Sequence, residues 1–150
     1  MSKNQHLESI FTSSLRSLGT KIFYLKLQVN PLAHTCMPAD YIVLTDTYNY
    51  LIECKESKNN RFDFDRLTQE KHLVEFQTYG DRFLSFVMIL FWNNRALNST
   101  CFMIPINMYL EAKKTIGKKS INLDDCLRIF PNQTVKFINS ETLDISKVII

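Results

Sequence analysis

The chain has 150 residues, 45% of them hydrophobic and 22% charged, with a formal net charge of +3. That length and balance suit one soluble domain with a real core and exclude global disorder. The mild basicity permits nucleic-acid binding without demanding it, and the longest apolar run, Phe83 to Trp92, is too short to cross a bilayer as a helix.

The first residues are polar at once and carry no secretory leader, which points to the cytoplasm. From Gln5 to Leu18, the positions Leu7, Ile10, Phe11, Leu15 and Leu18 keep helical spacing, and Gly19 supplies a stop. "KIFYLKLQV" (Lys21 to Val29) reads as a strand ended by Pro31. "ADYIVLTDTYNYLIECK" reads as two strands around a turn at "DTYN". "DRLTQEKHLVEFQTYG" is an amphipathic helix with Leu67, Leu73, Val74 and Phe76 inward. Phe83 to Trp92 is a central strand, "NNRALNS" a turn, and "TCFMIPI" the next strand. "NMYLEAKKTIG" is a helix, "KKSINLDDCLRIF" contains a short one, and "VKFI" and the end of the chain are strand-like. No repeat or long linker interrupts this order, so one domain over residues 1–150 is expected. Hairpin strands followed by a crossover helix imply an α/β fold, a mixed sheet with helices packed on it.

The four cysteines, Cys36, Cys54, Cys101 and Cys126, are spread out with no CxxC pair. That pattern suits reduced, mostly buried thiols rather than a zinc site.

Two charges, Glu53 and Lys55, stand at the end of an apolar strand on one side of it. A hairpin with a two-residue turn at Thr47 and Tyr48 sets Asp40 opposite Lys55 and Ile42 opposite Glu53. Asp40, Glu53 and Lys55 then share one face at one end, while Tyr41, Val43, Ile52 and Cys54 make the other face apolar. A slip of one residue would move Asp40 to the far face and break the group. Paired carboxylates repel, and burial raises the cost. A divalent cation of the magnesium or manganese class relieves that repulsion; so does a salt bridge with one spare carboxylate. The hairpin alone leaves both readings open.

The spacing Pro38-x-Asp40 followed by Glu53-x-Lys55 resembles the PD-(D/E)xK nuclease motif. Three further features strengthen the likeness. Gln69 stands on the following helix in i, i+4, i+7 register with Leu73 and Phe76. Glu8 lies in the first helix, and "GKKSINLDD" (Gly117 to Asp125) is similar to a Lys-Ser-Ile segment of the RecU family. Over residues 5–126 the chain resembles Holliday-junction resolvases of the RecU and archaeal Hjc types. It departs from RecU in lacking that family's stalk, since only "QVNPLAHTCMPAD" lies between the first strands, and in having Pro38 and Thr68 at motif positions.

The resemblance implies a restriction-endonuclease-like fold and a magnesium- or manganese-dependent endodeoxyribonuclease cutting branched DNA as a homodimer. It implies catalytic roles for Asp40, Glu53, Lys55 and Gln69, with Glu8, Asp40, Glu53 and Gln69 around the metal. Four lysines without an intervening acid, Lys113, Lys114, Lys118 and Lys119, and the nearer Lys58, Arg61 and Arg66 are the expected DNA contacts. His34 and His72 are candidate bases, although a surface or hydrogen-bonded histidine is the ordinary role of each. Another nuclease of the same fold, of restriction or repair type, and a non-catalytic DNA-binding protein are the rival readings.

Overall fold

The computed structural model describes residues 6–28 and 37–149. The stripe Leu7, Ile10, Phe11 and Leu15 makes α1 (Leu7–Ser17) and is buried throughout. Gly19 follows at φ +75°, a left-handed conformation that a side chain would strain. The chain then enters a short edge strand, β1 (Phe23–Lys26). The expected strand ran further, to Val29, which lies outside the described residues, as do His34, Cys36 and much of the short stretch compared with the RecU stalk.

Strands β2 (Tyr41–Leu44) and β3 (Asn49–Ser57) form the expected antiparallel hairpin with a corrected register. Tyr41 pairs with Ile52 and Ile42 with Leu51, so each partner lies two places earlier than a two-residue turn would set it. The loop is four residues, Thr45 to Tyr48, and Thr45 organises it. Its hydroxyl accepts the amides of Thr47 (3.2 Å) and Tyr48 (3.0 Å) and donates to the Tyr48 carbonyl (3.0 Å). A shift of two conserves the strand faces because side chains alternate with period two. Asp40 therefore comes level with Glu53 rather than Lys55.

After β3 come β4 (Arg61–Asp63), a single 3-10 turn at Phe64–Arg66, and α2 (Glu70–Gln77). This helix is shorter than expected. Leu73 is buried and Phe76 half-buried, but Val74 is 39% exposed, correcting its inward placement. Val74 is about 100° round the helix from Leu73 and so turns away from the sheet. Strand β5 (Phe83–Asn93) is central and buried, and β6 (Arg95–Pro105) returns beside it. The strand begins where a turn was expected because Asn94 alone takes a left-handed conformation (φ 64°) and closes the hairpin. Ser99 braces that tip, accepting the Asn93 amide (2.8 Å) and donating to the Arg95 carbonyl (2.7 Å).

The chain continues through α3 (Ile106–Thr115), β7 (Ser120–Asn122), α4 (Leu123–Ile129), β8 (Thr134–Val135), β9 (Phe137–Asn139) and β10 (Thr142–Leu143). The main sheet has six strands in the order β1-β2-β3-β5-β6-β8. Only β3 and β5 are parallel, and α2 is the crossover between them. Strands β4 and β7 pair as a separate ribbon, as do β9 and β10.

Two apolar layers hold the sheet. On one face Tyr41, Val43, Ile52, Cys54 and Met88 pack against Leu7, Phe11 and Leu15 of α1. On the other, Leu51, Val87, Ile89 and Phe102 pack against Leu73 of α2 and Tyr109 of α3. Cys54, Cys101 and Cys126 are buried free thiols, in line with the expectation for the described cysteines. No helix among the described residues is long and apolar enough to cross a membrane.

Candidate functional site

Strand β3 outruns β2. Its pairing with β2 stops at Ile52, and Glu53 to Ser57 run on past the end of that strand. Asp40 stands at this step. Its amide donates to the Ile52 carbonyl (3.1 Å), its carbonyl accepts the Leu27 amide (2.7 Å), and its Oδ2 accepts the Cys54 amide (2.8 Å). The side chain thus takes over the strand ladder for one more bond and is fixed beside Glu53 by it.

Glu53 is only 3% exposed, on the α2 face of the sheet between Leu51 and Lys55. Lys55 Nζ lies 3.4 Å from Glu53 Oε1. The other oxygen, Oε2, is buried with no hydrogen-bond partner. Burial, then the charge of Asp40, pushes the Glu53 carboxyl up to about 8, and Lys55 offsets only part of this. The Asp40 carboxylate stands close enough to Glu53 for like-charge repulsion to favour a proton on Glu53.

Glu8 reaches the same place from α1. Its carboxyl stands near that of Asp40 and 3.8 Å from Lys26 Nζ. Burial, followed by the Asp40 charge, raises its acidity range as well. Glu8, Asp40 and Glu53 are therefore chained through Asp40. Among the described residues no group of three or more His, Cys, Asp or Glu side chains is arranged to hold a metal ion.

Gln69 arrives by topology. Helix α2 leads from the end of β3 to the start of the parallel β5, so its N-terminus lies at the C-terminal end of β3. Ser85, the β5 partner of Leu51, donates to the Leu73 carbonyl (2.6 Å) and sets Leu73 level with Leu51. One helical turn back covers about 6 Å, and two strand residues onward cover about 6.6 Å. Gln69 thus falls at about the height of Glu53 along the strand direction, at the same end of the sheet. It is the N-cap residue of α2 rather than a residue inside the helix. Its side-chain oxygen Oε1 is buried without a hydrogen-bond partner, like Glu53 Oε2.

These are the donors a hard divalent cation takes. Carboxylate and amide oxygens are its usual ligands, and two buried oxygens here lack any proton donor. In donor chemistry the residues fit such an ion.

The basic residues fall into two groups. Arg61, Arg66 and Lys119 line one shallow cavity with Asp63, Asp65 and Ser120 on the β4–β7 ribbon. The ribbon follows directly on β3, because the Ser57 hydroxyl donates to the Arg61 carbonyl (2.6 Å). Arg66 lies over the Phe62 ring, 5.1 Å from its centre, and Arg61 Nε is 3.2 Å from Asp63. Lys58 is exposed in the turn before the ribbon. The lysine run is more divided than its sequence suggests. Lys113 binds Glu70 at 2.7 Å, Lys118 is 4.0 Å from Asp125, and Lys114 and Lys119 are exposed with no such pair among the described residues. His72 is half-buried on α2, on a helix whose site-facing residues are Gln69 and Leu73.

Sequence reasoning missed Glu56 and Trp92. Glu56 sits on β3 but faces α1, and the Trp92 indole donates to it at 2.7 Å. Alternation from Glu53 would have revealed a carboxylate on an apolar face, which requires a partner.

No family model matches the chain, and no curated protein matches it. Among solved structures it is similar to Hjc of Archaeoglobus fulgidus, a Holliday junction resolvase from an archaeal hyperthermophile. The identity is 13%, the match covers 84% of this chain and 88% of that one, and the TM-score is 0.51. The likeness extends to the fold: a mixed six-stranded sheet flanked by four helices, as in the Hjc nuclease fold.

Proposed function

We propose that this chain is a magnesium- or manganese-dependent endodeoxyribonuclease that cuts branched DNA, most specifically four-way junctions, as a cytoplasmic homodimer. The observation that carries the reading is Glu53 Oε2, a buried carboxylate oxygen without a hydrogen-bond partner next to the charge of Asp40, with a second orphaned buried oxygen on Gln69. Glu8, Asp40, Glu53 and Gln69 would hold the ion. A bound divalent cation would polarise a phosphate and favour ionisation of water there.

The protein's own groups do the rest. Asp40 is locked by the Cys54 amide and the β2–β3 step, so its carboxylate does not reorganise when substrate arrives. Lys55, 3.4 Å from Glu53 and partly open to solvent, is placed to stabilise negative charge growing on a phosphodiester or to orient the attacking water. Gln69 offers its carbonyl oxygen without bringing a further charge. Arg61, Arg66, Lys119 and Lys58 extend the positive surface from the end of β3 and would neutralise DNA phosphates.

The substrate class rests on the fold likeness to a junction resolvase. A four-way junction has approximate two-fold symmetry, which two sites in a C2 dimer would match. The test is cleavage of end-labelled four-way junction, flap and linear duplex with magnesium and with chelator. Cuts in the junction that need magnesium, with duplex spared, are the expected result. Cuts in duplex at defined sequences would reassign the chain to another nuclease of this fold. Intact substrates throughout would favour a non-catalytic DNA-binding protein.

A further inference from the structure

Glu56 is the third charged residue in the segment Glu53 to Glu56, and it points to the opposite side of the sheet from Glu53 and Lys55. Both of its oxygens are engaged. Oε1 accepts the Trp92 indole N–H at 2.7 Å. Oε2 accepts the backbone N–H of Leu7 at 3.2 Å and lies 3.3 Å from His6 Nδ1. Leu7 is the first residue of α1, and the N-cap residue, His6, makes no side-chain capping bond of its own. A strand carboxylate thus does what an N-cap side chain ordinarily does, and it places a negative charge at the positive end of the helix.

The same first turn carries Glu8. Its backbone is pinned a second time, because the Tyr41 phenol donates to the Glu8 carbonyl at 2.9 Å and meets the Thr12 hydroxyl at 2.7 Å. The helix end is therefore tied to β3 through Glu56, to β5 through Trp92, and to β2 through Tyr41. Of these, β3 carries Glu53 and β2 begins directly after Asp40.

We propose that Glu56, braced by Trp92, is a positioning residue that holds the first turn of α1 so that the Glu8 carboxyl stays against Asp40 in the cation site. This rests on the cation-site reading above. A carboxylate that served only the stability of α1 would leave cation affinity untouched in a folded variant, and that difference makes the role testable.

The experiment is calorimetric titration of manganese into the metal-free protein, without DNA, for wild type, Glu8→Gln, Glu56→Gln, the double variant and Trp92→Phe. Urea unfolding of each variant accompanies it. Glu56→Gln should weaken binding ~10-fold, the scale seen when a group orienting a metal ligand is removed. Glu8→Gln should weaken it at least as much, and the double variant should be no weaker than Glu8→Gln alone. Trp92→Phe keeps an aromatic ring but loses the indole donor, and should weaken binding several-fold; it carries the test if Glu56→Gln does not fold. Wild-type affinity in folded Glu56→Gln and Trp92→Phe, or losses that multiply in the double variant, would overturn the positioning role while leaving the cation site standing. No manganese binding by wild type would remove the cation site itself, and the positioning role with it.

Discussion

Glu53 concentrates the physical tension of this molecule. It is almost wholly buried, next to a second carboxyl, with one oxygen on Lys55 and the other on nothing. In the absence of a cation its proton is held up to about pH 8, whereas an unfolded glutamate releases it near 4.5. Between those values the folded state binds more protons than the unfolded state, so stability must fall as pH rises through that window. We expect metal-free protein to lose melting temperature from about pH 5 to about pH 8 and to change little on this account beyond it. Glu53→Gln should remove most of the slope and be more stable than wild type at the alkaline end, by ~1–3 kcal/mol. Magnesium should restore wild type there and leave Glu53→Gln unmoved. Thermal melts across pH, with and without magnesium, check all three points; a flat wild-type profile would mean the carboxyl is not under this strain. Lys55→Ala should deepen the slope, since it removes the cation closest to Glu53.

At the level of elements, the β2–β3 hairpin decides whether the site exists. Its parity was legible in the sequence because Tyr41, Val43, Ile52 and Cys54 must share a buried face. Its offset was not, because the Thr45 hydroxyl and the Thr45 amide, which donates to the Tyr48 carbonyl, close a four-residue loop that reads equally well as a tighter turn. Gln69 was legible through its spacing from Leu73, although its place just ahead of α2 was not. The β4–β7 ribbon escaped altogether. "RFD" and "SIN" are three residues each, too short for an alternation signal, and they pair across nearly sixty residues of chain. Thr45→Ala should cost about 1 kcal/mol of stability by urea unfolding, the value of a small hydrogen-bond set at a partly exposed turn. It should leave the pairing of Asp40 with Glu53 intact, since the apolar faces still fix register. A large loss of cation binding in this variant would contradict that.

For the whole molecule, the net charge of +3 says less than its distribution. Arg61, Arg66 and Lys119 gather around one cavity beside the β4–β7 ribbon, with Asp63 and Asp65 among them, whereas Lys113 is taken up by Glu70. The lysine run that stood out in the sequence is therefore not one continuous basic face, because folding supplies acids that the linear order hides. DNA affinity should fall ~100-fold between about 50 and about 200 mM salt, as expected for four or so phosphate contacts. Replacing Arg61, Arg66 and Lys119 together by alanine should lower the slope of log affinity against log salt by about three. Replacing Lys113 alone should barely change it. Fluorescence anisotropy with a labelled junction reads both.

The central claim is that the buried Glu53 on β3, with Asp40 and Glu8 beside it, holds a cation for cleavage of DNA. Single-turnover cleavage of an end-labelled four-way junction, followed across a magnesium titration for wild type and Glu53→Gln, tests it most directly. The account predicts saturable, magnesium-dependent cutting by wild type and a loss of at least 1,000-fold in Glu53→Gln, with junction binding in the variant retained. Equal cutting by the folded variant, or cutting by wild type that ignores magnesium, would contradict it.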